Sequence, residues 1–272
     1  MRILFLGDIV GQAARKYVIR TLPDLRRRYR LDFVIVNADN LAHGFGQTRK
    51  TCEAMLNAGA DVLTCGNHVW DNDEMHGVLE DNPAVLRPAN FPQTRPGKGC
   101  GFYTLEDGRT IAVMHVQGQL FLGDEVDNPF KAAAGWAETV KLGRDANAMV
   151  IDFHAEATSE KMAFGQFCDG KVSFVVGSHT HIPTADAQIL PNGTAYQTDA
   201  GMCGCYDSVI GMDKKEPVSR FATGINGGRL EPADTDPTVC GAVVETDDKT
   251  GLARKIVMIR YGGRLQESLP VL

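Results

Sequence analysis

The opening segment MRILFLGDIV, Met1–Val10, decides how the rest of the chain is read. Its apolar run, Arg2–Gly7, is too short for a helix and stops at Gly7-Asp8, which predicts a buried strand ending in a polar turn. Four later runs repeat the form. Phe33–Asn37 precedes Asp39-Asn40, Val62–Cys65 precedes Gly66-Asn67-His68, Met149–Phe153 precedes His154, and Val172–Val176 precedes Gly177-Ser178-His179-Thr180-His181. Runs apolar throughout suit strands covered on both faces. Helices are predicted over Gly11–Arg30, with Pro23 as a kink or a break, over Gln47–Ala58, stopped by Gly59, and over Asn72–Glu80. Ile111–Val116 reads as a central strand. Cys240–Thr246 and Ala253–Tyr261 flank a turn at Asp247–Gly251 and predict an antiparallel hairpin. Asn128–Asp145 has helix or loop character. Alternating strands and helices give a layered α/β architecture, taken as one domain over residues 1–272.

Composition narrows the function classes. The chain has 28 Lys+Arg against 34 Asp+Glu, a formal charge of −6, which argues against a duplex nucleic-acid binder that needs a basic face. The basic run Arg26, Arg27, Arg28 and Arg30 reads as a solvated helix end. No run approaches the roughly 18 apolar residues that span a bilayer, and the N-terminus reads as a strand, not a signal peptide. Seven cysteines, an odd number with no CxxC pair, predict reduced thiols and a cytoplasmic protein without a structural zinc site.

The polar residues gather at one kind of place. Asp8, Asp39, Asn40, Asn67, His68, His154, His179 and His181 all follow the carboxyl end of an apolar run, the edge at which open α/β sheets bind ligands. One aspartate after a strand is ordinarily a turn former, and one histidine is ordinarily structural. Five segments delivering Asp, Asn and His to one rim point instead to a metal site. Oxygen and neutral nitrogen donors without thiolate suit Fe or Mn, with Zn also allowed. Two ions can clamp a phosphoryl group and activate water. The pair His179 and His181 would face one side of a regular extended strand.

These strings resemble the calcineurin-like metallophosphoesterases. GDIVG (Gly7–Gly11), GNH (Gly66–His68) and GSHTH (Gly177–His181) look like that superfamily's signature. VNADN (Val36–Asn40), GNHVWD (Gly66–Asp71), RPANFP (Arg87–Pro92), DFHAEATSEK (Asp152–Lys161), HTHIPTAD (His179–Asp186) and DSVIGM (Asp207–Met212) resemble the bacterial branch of 2′,3′-cyclic-nucleotide 2′-phosphodiesterases. The resemblance implies a metallophosphoesterase-like α/β sandwich with mixed sheets. It implies two metal ions, one held by Asp8, Asn40 and His181, the other by Asn67, His154 and His179, with Asp39 bridging. It further implies a metal-bridging hydroxide as nucleophile, His68 near the substrate phosphate as proton donor to the leaving oxygen or as stabiliser of transition-state charge, a small cyclic nucleotide as substrate, a 3′-nucleotide as product, and compatibility with a homo-oligomer. Two positions depart from the pattern: Val10 stands where the wider superfamily often has His, and Asp39 where this branch usually has Glu. Alternatives are a broader phosphodiesterase or phosphomonoesterase, and a metal-binding regulatory protein with little catalysis.

Outside this set, His76 and His115 read as structural. His43 and Phe45, on the Leu41–Gln47 loop, are candidates to touch substrate. Glu156, Ser159, Glu160 and Lys161 read as a capped helix start, Asn90 as a residue lining the site or a turn residue before Pro92, Cys203 and Cys205 as part of a loop near the site, and Met162, Met202 and Met212 as filler.

Overall fold

The computed structural model describes residues 1–123 and 125–270. The strands are β1 (Arg2–Leu6), β2 (Phe33–Asn37), β3 (Val62–Thr64), β4 (Val85–Leu86), β5 (Cys100–Thr104), β6 (Thr110–Gln117), β7 (Ala148–His154), β8 (Phe174–Ser178), β9 (Gln188–Ile189), β10 (Ala195–Gln197), β11 (Gly204–Cys205), β12 (Pro237–Thr246) and β13 (Ala253–Tyr261). The helices are α1 (Gly11–Tyr29), α2 (Arg49–Asn57), α3 (Met75–Asp81), α4 (Pro129–Thr139), α5 (Thr158–Cys168) and α6 (Lys215–Thr223).

Side-chain alternation along the strands builds four layers. Leu4, Leu6, Val34, Val36 and Leu63 pack outward against Ala14, Val18 and Leu22 of α1, Met55 of α2 and Val78 of α3. Their neighbours Ile3, Phe5, Phe33, Ile35 and Val62 point the other way and meet Ile111, Val113, Ala148, Val150, Phe174 and Val176 of a second sheet. The outer face of that sheet, with Met114, Val116, Met149, Ile151 and Phe153, is covered by Trp136 of α4 and Phe164 of α5. The central strands β1, β2, β3, β6, β7 and β8 are buried on both faces, which is why they read as continuous apolar runs, whereas β5, β9 and β13 are partly exposed.

Both sheets are mixed. The first has the order β11-β12-β1-β2-β3-β4, with β13 also paired to β12, and the second β5-β6-β7-β8-β10-β9. The steps from β1 through β4, and those from β6 through β8 to β10, are parallel; β12 runs antiparallel to β1 and to β13. The expected C-terminal hairpin is therefore present.

Register places the polar turns together. Leu6 lies opposite Val36 and Val36 opposite Leu63, while Gln117, His154 and Ser178 form one row across β6, β7 and β8. The parallel strands of both sheets thus end at a common rim, and Ile9 bridges to Cys203 across it.

Several sequence expectations shift. α1 continues unbroken through Pro23, where exposed Pro23 lies between the buried anchors Leu22 and Leu25. The region 128–145 divides into α4 over Pro129–Thr139, capped by Asn128, whose Oδ1 accepts from the amides of Phe130 and Lys131, and a turn that follows it. α2 starts at a reciprocal Thr48–Thr51 capping box. α6 and the short strands β4, β5, β9 and β10 lie in segments whose sequence pattern carried no assignment, and the loop expected at Cys203–Cys205 is corrected in part, since Gly204–Cys205 forms β11 by pairing with Thr238 and Pro237 of β12.

Candidate metal centre

His181 shows the logic of the site. Its Nδ1 donates to the carbonyl of Ile210 at 2.7 Å, so its Nε2 is a bare acceptor. That nitrogen lies 3.2 Å from Asn40 Oδ1, and the amide of Asn40 is oriented by Nδ2 donating to the Gly44 carbonyl at 2.9 Å. Asp8 Oδ1 is 3.9 Å from the same nitrogen, buried and without a hydrogen-bond partner. Asp8 Oδ2 accepts from the His179 amide at 3.1 Å. Three acceptors therefore face one another with no proton to share.

His154 repeats the pattern. The Ser178 hydroxyl donates to Asp152 Oδ1 at 2.6 Å, so it accepts from His154 Nδ1 at 2.9 Å. His154 Nε2 then meets Asn67 Oδ1 at 2.9 Å, His179 Nδ1 at 3.1 Å and Asp39 Oδ2 at 3.4 Å. One nitrogen with at most one proton cannot satisfy three acceptors. His179 Nε2 is committed to Glu156 Oε2 at 3.3 Å, leaving its Nδ1 bare as well. Ligand atoms of Asp8, Asp39 and His154 all lie within 4.8 Å of one another.

The charge balance points the same way. Asp8, Asp39, Asp152 and Asp199 are each at most 1% exposed. Burial, and then Asp199, push the Asp8 carboxyl well above the ordinary range. Burial opposes ionisation of Asp39 too, but His154, then His68 and His179, outweigh it and bring the carboxyl to about 2. Burial, then His154, drive His179 down to about 2, and burial lowers His181, so both rings present neutral nitrogen. An orphaned buried carboxylate oxygen, opposed acceptors and neutral imidazoles fit bound cations.

The turns that deliver these groups are strained. His179 and His181 have φ of 95° and 66°, outside the extended conformation expected for the pair. Each departure costs on the order of 1–3 kcal/mol and is held by surrounding contacts. The two rings reach separate neighbours because the chain has left β8 and turns. Gly66 is required for packing: a Cβ there would lie 2.3 Å from His154 Nε2.

His68 stands at the edge of the cluster. Its amide donates to Asp39 Oδ1 at 3.0 Å, its Nδ1 lies 2.8 Å from Asp71 Oδ2, and the Phe45 ring meets it edge-on at 5.3 Å. His43, exposed and with φ of 54°, lies outside the cluster beside a cleft of about 450 Å³ shared with Gln12, Arg229 and Pro232. His76 stacks edge-on with Trp70, and buried His115 sits 3.2 Å from Asp152 Oδ2. Asn90 is buried, its amide spanning Gln117 and Asp127. Cys203 pairs by its backbone with Asp8 and Val10, and all seven cysteines are free. Met202 and Met212 pack on Val10, whereas Met162 is exposed.

The supporting residues are those a reading by strand ends overlooks. Asp152 accepts from Ser178, from Asn37 Nδ2 at 2.9 Å and from Thr64 Oγ1 at 2.6 Å. A charge inside the apolar string MVIDF, at the head of DFHAEATSEK, was its signal. The expected helix cap at Glu156–Lys161 is corrected. Ala157 precedes the helix without a side-chain cap, Glu160 accepts from the amides of Gln119 and Leu120, and Lys161 is buried against Asp199.

The YmdB-like protein family matches residues 4–259. A Bacillus subtilis protein named 2′,3′-cyclic-nucleotide 2′-phosphodiesterase is 46% identical over 260 residues, 95% of this chain and 96% of its own. A crystal structure titled as a hypothetical protein from Thermus thermophilus superposes with a TM-score of 0.89 at 37% identity, covering 97% of this chain and 100% of that one. A structure titled as a novel phosphatase from Mycoplasma pneumoniae also gives 0.89, at 34% identity, over 99% and 95%. The architecture, the rim of converging donors and these likenesses agree, and the chain belongs to the YmdB-like protein family of calcineurin-like metallophosphoesterases.

Proposed function

We propose that the protein hydrolyses 2′,3′-cyclic nucleotides, opening the 2′ ester to leave a 3′-nucleotide, at a centre of two metal ions. The observation that carries the reading is the set of opposed acceptors around His154 and His181, which share no protons and call for cations. The substrate class follows the name of the Bacillus subtilis relative.

Asp8, Asn40 and His181 would hold one ion and Asn67, His154 and His179 the other, with Asp39 between them; His154 Nε2 lies 3.4 Å from Asp39 Oδ2, and Asp39 also acts on the titration of Asp8. When bound, the ions draw a nucleophile from water at neutral pH and offset charge on the phosphoryl oxygens. Oxygen and nitrogen donors favour Fe or Mn and admit Zn. His68 would hand a proton from Nε2 to the departing ribose oxygen; the contact of its Nδ1 with Asp71 and the packing of Phe45 against its ring support that role. Asp39 is one methylene shorter than Glu, and its two oxygens divide between the His68 amide and His154. The apolar interior shared by the two sheets supports one domain. Free thiols support a cytoplasmic setting, and no described helix is long and apolar enough to cross a membrane.

The test is elemental analysis of the purified protein with a panel of 2′,3′-cyclic AMP, 3′,5′-cyclic AMP and p-nitrophenyl phosphate. Bound metal and release of 3′-AMP from the first substrate are expected. Turnover of the monoester alone would replace the diesterase reading with a phosphatase. Bound metal with no turnover would favour the regulatory reading.

A further inference from the structure

We infer that Lys161, through Asp199, is a positioning residue for His179 and His181, and that it holds them in place against its own electrostatic effect. The inference rests on reading the cluster as a metal centre. Lys161 is only 1% exposed, and such an amine needs partners. Its Nζ donates to the Ser178 carbonyl at 2.7 Å and to Asp199 Oδ2 at 2.5 Å. The same carboxylate oxygen accepts from the amide of Thr180 at 3.1 Å and from its hydroxyl at 2.8 Å, while Oδ1 accepts from the Gly201 amide at 2.8 Å. One ammonium–carboxylate pair therefore grips the backbone on both sides of His179. This is the stretch in which His179 and His181 adopt left-handed φ values that a bulky side chain does not hold unaided. Other anchors of this stretch include the Ala155 amide on the Ser178 carbonyl at 3.4 Å, the His179 amide on Asp8, the His181 ring on the Ile210 carbonyl, and the His181 carbonyl, which accepts from the Met202 amide at 3.2 Å and the Tyr206 hydroxyl at 3.3 Å.

Two effects of Lys161 on cation binding have opposite sign. As a positive charge beside the centre it repels a cation, so its removal should tighten metal binding on Coulomb grounds. As the clamp on the histidine segment it orients two donors, so its removal should weaken binding, as loss of supporting contacts around metal ligands does by about 10–100-fold. A role in general stability alone would lower the melting temperature and leave the affinity of the folded protein unchanged.

The experiment is calorimetric titration of the chelator-stripped full chain with Mn²⁺, wild type against Lys161→Met, with apo melting curves and visible spectra of the Co²⁺ forms. The expected result is affinity weaker by about 10–100-fold with a changed Co²⁺ band shape. Equal or tighter binding by Lys161→Met overturns the inference. If Lys161→Met does not fold, Thr180→Val decides. It removes the hydroxyl bond to Asp199 at a half-buried position without changing charge, so weaker binding supports the clamp and unchanged binding refutes it. A wild type that takes up no metal removes the metal-centre reading and this inference with it, whereas normal wild-type uptake with an indifferent variant removes the inference alone.

Discussion

His154 Nε2 and Asn67 Oδ1 face each other at 2.9 Å although 87 residues separate them in sequence. The contact is one of several acceptor-to-acceptor approaches on the rim, and as a whole they are repulsive until a cation sits among them. Metal binding and folding stability are therefore coupled, because a ligand that binds only the native state stabilises it. Stripping the protein with a chelator should lower its melting temperature, and added Mn²⁺ should restore it. At a free metal concentration of 100 times Kd the stabilisation is about 2.7 kcal/mol. Scanning calorimetry with and without chelator is the check, and coincident melting curves would contradict the coupling.

Removing the imidazole of His68 should leave the metal in place. His68→Ala is expected to retain wild-type metal content and to lose about 10²–10⁴-fold in turnover of 2′,3′-cyclic AMP, the range for a proton-transfer group. The loss should be smaller for a p-nitrophenyl diester, whose leaving oxygen needs no proton. Equal losses on both substrates would remove His68 from leaving-group protonation.

Asp39→Asn keeps the shape of the side chain and removes the charge set among His154, His68 and His179. Metal content measured by mass spectrometry should fall at both positions, because one carboxylate is proposed to serve both ions. Retention of a full complement would contradict that assignment.

Gly66→Ala places a methyl 2.3 Å from the His154 ring nitrogen, with the two adjoining ring carbons at 2.5 and 2.6 Å. The ring must move, so the metal-to-protein ratio should drop while far-UV circular dichroism stays native. Full metal occupancy in this variant would show that the ring has room to adjust.

Asp152→Asn disturbs the contact behind His154. The carboxylate accepts from Ser178, Asn37 and Thr64, and an amide would turn two hydrogens toward groups that only donate there. A destabilisation of about 1–3 kcal/mol in urea unfolding is expected, with weaker metal binding as the Ser178–His154 contact loosens. An unchanged midpoint would place the anchoring of His154 elsewhere.

The hairpin turn supplies a pH test away from the rim. Asp247 Oδ1 accepts from the amides of Thr250 and Lys249, each at 2.8 Å, and Arg254 contacts its other oxygen. Those amide bonds, Thr250 first, lower the carboxyl from 3.8 to about 2. A depressed folded pKa means stability that is present above the unfolded value and is lost as pH falls through the folded one. Asp247→Asn should remove that part of the pH dependence between about pH 4 and 2, measured by urea unfolding across the range.

The legibility of this chain follows from the range over which each property is decided. Arg2–Leu6, Phe33–Asn37 and the segment ending at His154 are strands buried on both faces, and that burial is written locally as unbroken apolar runs ending in Asp, Asn or His. The candidate donors could be named for the same reason, since each ends its own run. Short strands such as Gly204–Cys205 carry too few residues to show a period, and their pairing with Thr238 and Pro237 comes from across the chain. Likewise, nothing near Lys161 announces a buried ion pair; its partner Asp199 lies 38 residues on. The proton positions of His154 and His181 depend on Ser178 and Ile210, 24 and 29 residues away. The left-handed turn that separates the two late histidines is held by Asp8 from 171 residues earlier. Sequence by itself determined which residue types end which strands, because hydrophobic periodicity is local; tertiary structure alone decided which lone pairs converge, because that depends on distances between segments that only packing brings together.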